Sequence, residues 1–348
     1  VAHQTKLKFR SDGTFTIVQI ADLHYAGGTP DDEVTLAVME SVLAEEKPDL
    51  VVFTGDAVKG NSCANQLEQL IDVLSVPEKL GLPYAFVFGN HDSEHDCVSR
   101  EDMMEAIEGR AFCLAEAGPA EVAGVGNYTL TIAGKDGGDD PKAVLYFFDT
   151  GCGAPKSIIK SYAWLERSQI DWYTFQSESF REANGGTPLP ALTFFHYPLP
   201  EYNEVWDRHT CYGVKNETVG CARLNTGMFA AMKMMGDVMG TFAGHDHTND
   251  YCGDLYGIWL CYGRTGGPNT VNDVPYERGA RVIRLTEGER GFETWLRMED
   301  GSLVTEQPEH APVGSVPPPP KVVVPEPPFD IRRKAAERPA DAVTSERS

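Results

Sequence analysis

At 348 residues, 41% of them hydrophobic, the chain is long enough for one large α/β domain or two small ones with a sizeable core. Its 30 basic residues against 52 acidic ones leave a net charge of −22, a field that repels phosphate polymers and anionic membranes. Nucleic-acid binding is therefore disfavoured, no apolar run approaches the roughly 20 residues of a membrane span, and a phosphate-bearing substrate would have to be drawn by metal ions.

The opening Val1-Ala2-His3 has neither an initiator Met nor an apolar signal segment, as expected of a processed form. Eight cysteines are scattered with no C-x-x-C pair, which argues against a zinc knuckle or a thioredoxin-type site and leaves disulfides open. Two sequons, at Asn127 and Asn216, would suit a glycosylated secretory protein, so a secreted or lumenal setting is expected.

In chain order, residues 14–20 are β-branched and apolar and read as a buried strand that delivers Asp22 and His24 at its C-terminal end. Two apart in extended chain, these side chains share one side and can close on one ion. Pro30, an acidic first turn and apolar residues at helical spacing predict a helix ending before Pro48. The next strand, 49–54, runs into Gly55-Asp56, and a helical stretch at 66–80 leads to the strand 84–88 and to Gly89-Asn90-His91-Asp92. A βαβ crossover returns each strand parallel to the last, which sets these ends side by side. An Asn amide oxygen can ligate a hard metal, and an imidazole beside it can protonate a leaving group if a carboxylate such as Asp92 holds its tautomer.

Residues 99–117 read as a helix, and the alternation at 128–132 with the apolar run at 143–148 reads as a hairpin, a change to antiparallel pairing. A helix at 164–183 precedes the strand 191–195, which ends in His196. Residues 197–223 have no clear period and are expected to form a loop over the site, with Tyr197, Tyr202, Arg208, Tyr212 and, further on, Arg264 as possible substrate contacts. A Met-rich helix at 225–235 and a strand at 238–243 lead to Gly244-His245-Asp246-His247, two histidines able to face one side of a turn. Cys252 and Cys261 flank a hairpin and are expected to pair, with Cys211 and Cys221 as a second pair. Strands at 280–286 and 292–297 close a domain spanning 1–305, and 306–348 form a Pro-rich tail too poor in apolar surface to fold.

The polar strand ends amount to Asp22, His24, Asp56, Asn90, His196, His245 and His247, a mixed O/N set too large for one ion and suited to two. Five of the nine histidines lie in these motifs. Paired ions need a shared carboxylate, activate water and clamp a transferring group, so metal-assisted phosphoester hydrolysis is the chemistry these residues imply. Iron, manganese and zinc all suit such ligands.

The order D-x-H, GD, GNHD, H, GHxH resembles the calcineurin-like metallophosphoesterase superfamily, over about residues 14–300. The runs IADLHYA, FTGDAV, FGNHDSE, FFHYPLPEY and GHDHTNDYCG resemble its short, single-domain purple-acid-phosphatase-like branch. The resemblance implies a four-layer αββα sandwich, an α/β architecture of two mixed β-sheets flanked by helices. It implies a first metal on Asp22, His24 and His247, a second on Asn90, His196 and His245, and Asp56 bridging them. Asn90 and His91 would contact the phosphate, His91 would protonate the leaving oxygen, and Asp92 would orient it. Lys59 stands where purple enzymes carry the Tyr that binds ferric iron, so the chromophore is expected to be missing. The first expectation is a phosphomonoesterase acting on a small organic phosphate; the alternatives are a phosphodiesterase for cyclic nucleotides or other diesters and a catalytically silent binding protein on the same fold.

Overall fold

The structure is a computed structural model that describes residues 6–60, 65–94, 98–270 and 276–312. One sheet has six strands in the order β13-β12-β11-β1-β2-β3, formed by β1 (Thr14–Ile20), β2 (Leu50–Phe53), β3 (Tyr84–Phe86), β11 (Gly279–Thr286), β12 (Glu293–Met298) and β13 (Leu303–Val304). The other has eight, β14-β7-β9-β10-β8-β6-β5-β4, formed by β4 (Tyr128–Ala133), β5 (Pro141–Phe147), β6 (Ala191–Phe194), β7 (Cys211–Tyr212), β8 (Val238–Ala243), β9 (Cys252–Leu255), β10 (Ile258–Tyr262) and β14 (Glu309–His310). Both are mixed: β1, β2 and β3 run parallel with β11 antiparallel to β1, and β5, β6, β8 and β10 run parallel with antiparallel neighbours outside them.

Alternation along the strands creates the layers. In β5, Ala143, Leu145 and Phe147 belong to the core shared by the two sheets, while Val144 and Tyr146 belong to a second core outside. Helices α1 (Pro30–Glu46), α2 (Gln66–Leu80) and α3 (Arg100–Glu108) pack into the first core. Helices α4 (Arg167–Ala183), α5 (Glu201–Arg208) and α6 (Met228–Met235) pack into the second. Sequence sets the start of α1, where Thr29 accepts from the Asp32 N–H, Asp32 reaches back to the Thr29 N–H, and Pro30 follows in the first turn.

Several expectations are corrected. The helix expected over 99–117 stops at Glu108, and the loop expected over 197–223 contains α5, whose two turns bury Tyr202 and Val205, too short a stretch to show a period. The expected tail begins later than residue 306, because β14 pairs with β7 and His310 stacks on Trp206 at 3.7 Å; residues 313–348 lie outside the described residues. Cys252 and Cys261 do face one another across β9 and β10, but both are free thiols, small side chains that fill a buried apolar position. Cys211 donates to the Val205 carbonyl while Cys221 accepts from Asn203, so that expected pair has separate partners and both are free. Cys63 and Cys97 lie outside the described residues. Asn127 is buried, donating to Ala123 O and accepting from Gln169, so it offers no amide to a glycan; Asn216 is exposed. No helix among the described residues is long and apolar enough to cross a membrane.

One contact ties the sheets at the edge that leads to the GNHD turn. Tyr128 stacks on Phe147 at 4.5 Å, and its hydroxyl accepts from Phe86 N and donates to Phe86 O, each at 2.9 Å. Both strands are buried here, so Tyr128→Phe keeps the ring and strands two backbone groups of β3 away from water. The expected loss is about 2 kcal/mol of unfolding free energy, within the usual range for a buried unsatisfied group, read as a lower midpoint at unchanged slope in a urea titration.

Candidate metal centre

Five strand ends converge. Asp22 and His24 follow β1, Asp56 follows β2, Asn90 and His91 follow β3, His196 follows β6, and His245 and His247 follow β8. Ligand-type atoms of Asp22, His24, Asp56 and His247 lie within 4.8 Å of one another, as do those of Asp56, His196 and His245. Asp56 belongs to both groups. Asn90 joins the second, its Oδ1 lying 3.1 Å from His196 Nε2.

The backbone is strained to bring this about. Asp22, His24, Asp56 and His245 all have φ between 47° and 76°, a left-handed conformation that costs roughly 1–3 kcal/mol each for a non-glycine residue. Close packing holds it in place. A Cβ at Gly89 would lie 2.1 Å from Asp56 Oδ1, and one at Gly220 would lie 2.5 Å from the His245 ring, so glycine serves at both positions by leaving room.

Each carboxylate has one side held and one side open. Asp56 Oδ1 accepts the His91 N–H at 2.8 Å, while Oδ2 has no hydrogen-bond partner and lies 3.5 Å from His24 Nε2 and 3.2 Å from His196 Nε2. Asp22 accepts the His245 N–H at 3.0 Å, and its Oδ1 stands 3.9 Å from His247 Nε2. His196 donates through Nδ1 to Thr54 O at 2.9 Å, which turns Nε2 inwards.

Electrostatics sorts the groups. Burial pushes His24 down to about 3 and His245 well below its ordinary value, so both are neutral imidazoles with a lone pair to give. Burial also opposes charge on Asp56 and His196, but their attraction outweighs it, holding the carboxyl well below the usual range and raising the imidazole to about 9. Burial raises the Asp22 carboxyl well above its ordinary value.

Of the buried side-chain atoms without a hydrogen-bond partner among the described residues, three lie at this site: Asp56 Oδ2, His24 Nε2 and His245 Nδ1. Unpartnered buried acceptors are rare because each forfeits its hydration, and a cation repairs all three. The donor set, oxygen and imidazole nitrogen in two groups sharing one carboxylate, fits two cations of the first transition row.

Other expected site residues lie elsewhere. Asp92 does not touch the His91 ring. It is buried, and its carboxylate accepts from Asp56 N (2.9 Å), Gly89 N (2.7 Å) and Val58 N (3.1 Å), which braces two motif loops against each other. One 3-10 turn, His91–Ser93, rotates residue i+1 inward and brings residue i+3 round instead: His91 Nδ1 is 2.5 Å from Glu94 Oε2. The i,i+3 spacing in FGNHDSE carries that signal. Arg264 is buried, paired with Asp250 at 2.6 Å and stacked on Tyr276, so it reaches no ligand. Tyr197 presents its ring to His245 at 4.6 Å, but its hydroxyl is committed to Cys152 O. Tyr202 is buried with its hydroxyl on Thr241 and Cys261, Arg208 pairs with Glu204, and Tyr212 sits exposed on β7. Sequence reasoning missed Glu94, Tyr162 and Arg100, whose guanidinium binds Ser93, Asp149 and the Gly89 carbonyl.

A consequence separates Asp92 from Glu94. Asp92→Ala leaves three buried N–H groups unpaired and is expected to lower unfolding free energy by at least about 3 kcal/mol, whereas Glu94→Ala, at a more exposed position, stays within about 0.5 kcal/mol. Urea titration of the two variants checks this, and equal losses would contradict the bracing role.

A family model described as calcineurin-like phosphoesterase matches residues 15–249. Two Arabidopsis thaliana proteins, named probable inactive purple acid phosphatases 29 and 28, are 33% and 31% identical over 87% and 85% of this chain and 87% and 83% of their own. The crystal structure of a dimetal phosphatase from Danio rerio shares the fold with a TM-score of 0.58 at 14% identity, covering 85% of this chain and 98% of that one. With its fold matched, its strand-end residues gathered around one shared carboxylate and the family model spanning more than half its length, this chain belongs to the calcineurin-like phosphoesterase family, with purple-acid-phosphatase-like proteins among its relatives.

Proposed function

We propose that the protein is a two-metal phosphoester hydrolase that releases phosphate from small organic monoesters. The observation that carries this reading is the open Oδ2 of Asp56, placed between two histidine groups at 3.5 and 3.2 Å with no partner of its own. A carboxylate in that position is what a pair of like-charged ions requires. The name of the Danio rerio neighbour, a dimetal phosphatase, agrees with it. Relatives are named probable inactive, yet all seven ligand-type residues are present here, which supports turnover.

In this reading Asp22, His24 and His247 hold one ion, Asn90, His196 and His245 the other, and Asp56 both. Bound ions of this kind lower the pKa of water and polarise phosphoryl oxygens. The chain's own contribution is geometric and protic. Asn90 and His91 are fixed by Asp92, which anchors the turn beneath them, and by the His91 N–H bond to Asp56. Glu94 orients the His91 ring through Nδ1, leaving Nε2 as the nitrogen able to pass a proton to the departing oxygen. The ring stands 4.8 Å from that of His24, at the mouth of the first group, and its side chain is 31% exposed, so substrate can reach it.

Asp56 and His91 differ in role, and their alanine variants should differ in kind. Asp56→Ala is expected to lose metal and activity together. His91→Ala should keep both ions and slow turnover by about 10²- to 10⁴-fold, the usual contribution of a positioned acid. The deficit should be smaller on p-nitrophenyl phosphate, whose phenolate leaves with little protonation, than on an alkyl phosphate. Metal analysis and both rates on each variant test the assignment; equal deficits on the two esters, or loss of an ion from His91→Ala, would overturn it. Rates on p-nitrophenyl phosphate and its bis ester decide between monoester and diester.

A further inference from the structure

Residues 152–163 form a flap whose two ends both meet the second half of the site. Its base is closed by Ala154 N to Ser161 O at 3.0 Å and Ala163 N to Cys152 O at 3.3 Å, with Gly153 opposite Tyr162 in an antiparallel bridge. At one end Cys152 lies against the GNHD turn, its thiol 3.3 Å from Ser93 Oγ and 3.0 Å from Arg100 Nη2, and its carbonyl takes the Tyr197 hydroxyl at 2.6 Å. At the other end the Tyr162 ring meets His245 edge to face at 4.6 Å and Tyr197 at 4.9 Å. The flap is thus fastened to Asn90's segment and to His245, both assigned to the second ion.

Tyr162 is 41% exposed in spite of these contacts. A large aromatic ring left partly in water gains by further burial, and this one stands beside His245, a candidate ligand of the second ion. A phosphoryl group lodged between the histidine groups must send its leaving group outward past the rim. The rim is uneven: His91 and Glu94 make it polar beside the first group, and Tyr162 makes it aromatic beside the second. We propose that Tyr162 is a specificity-determining residue that packs against the leaving group and selects phosphate esters of planar aromatic alcohols over those of small alkyl alcohols. This rests on the phosphoester reading above. Ring-on-ring packing favours an aryl group by about threefold to tenfold, while a methyl-sized group does not reach the ring.

Non-hydrolysable phosphonates test this without requiring turnover. Calorimetry on the metal-loaded full chain compares phenylphosphonate with methylphosphonate for wild type, Tyr162→Ala and Tyr162→Phe, with metal content measured in all three. Wild type and Tyr162→Phe are expected to bind phenylphosphonate about threefold to tenfold more tightly; Tyr162→Ala should lose that preference, with methylphosphonate affinity unchanged and both ions retained. Absence of a preference in wild type, its survival in Tyr162→Ala, or an equal weakening of both ligands would overturn the assignment. A protein that shows the expected binding pattern but hydrolyses neither p-nitrophenyl phosphate nor an alkyl phosphate overturns the hydrolase reading and leaves the role of Tyr162 standing.

Discussion

The carboxylate of Asp56 is the interaction on which the rest of the site depends. Its two oxygens do different work because the chain treats them differently. Oδ1 is satisfied by the His91 N–H, and Oδ2 is buried, ionised and open between His24 and His196. An open anionic oxygen in a protein interior is expensive, and the fold tolerates it only because everything around it is over-determined. Asp92 stitches the Asp56 and Gly89 backbones together, Gly89 lets them approach, and Arg100 grips the Gly89 carbonyl from behind. The left-handed backbone at Asp22, His24, Asp56 and His245 is the visible expense of this arrangement, and among the described non-glycine residues only the α1 C-cap Lys47 and the turn residue Tyr256 share it.

The route from sequence to site runs through parallel strands. Buried strands such as 50–53, apolar throughout, and 191–194, apolar but for Thr193, have conspicuous ends, and each end carries a residue type foreign to the strand. That is why Asp22, Asp56, Asn90, His196 and the two histidines after β8 could be singled out from one chain, whereas the layers were implied by the family resemblance. Local pattern also fixed α2 closely, since its apolar spacing is regular over 15 residues. What stayed hidden was anything decided by direction rather than identity. Asp92 and Glu94 are both acidic neighbours of His91, and only the sense of one 3-10 turn decides which reaches the ring. Arg264 looked available in sequence because nothing there announces that Asp250 and Tyr276 have already claimed it. Cys252 and Cys261 were placed opposite one another correctly, but proximity does not oxidise a thiol pair. Short elements such as α5 and β14 escaped because two turns or two residues are below the length at which periodicity speaks.

The strongly acidic chain and a site for anions are compatible for a reason of scale. Surface charges are screened over about 8 Å at physiological salt, whereas charges inside the site act on one another through a poorly screened interior. In the proposed reading a compact phosphoester at the strand ends is governed by the local set, in which two imidazoles are neutral and Asp56 Oδ2 stands open between His24 and His196. A polymer spanning tens of ångströms would lie along the surface and meet the field of the whole chain, −22 in total. Three of the thirty basic side chains are spent inside: Arg100 on Asp149, Arg264 on Asp250, and Arg281 on the backbone of Tyr262 and Asp250. In the proposed reading, this distribution of charge favours small substrates and leaves discrimination among them to neutral contacts at the rim rather than to ion pairing.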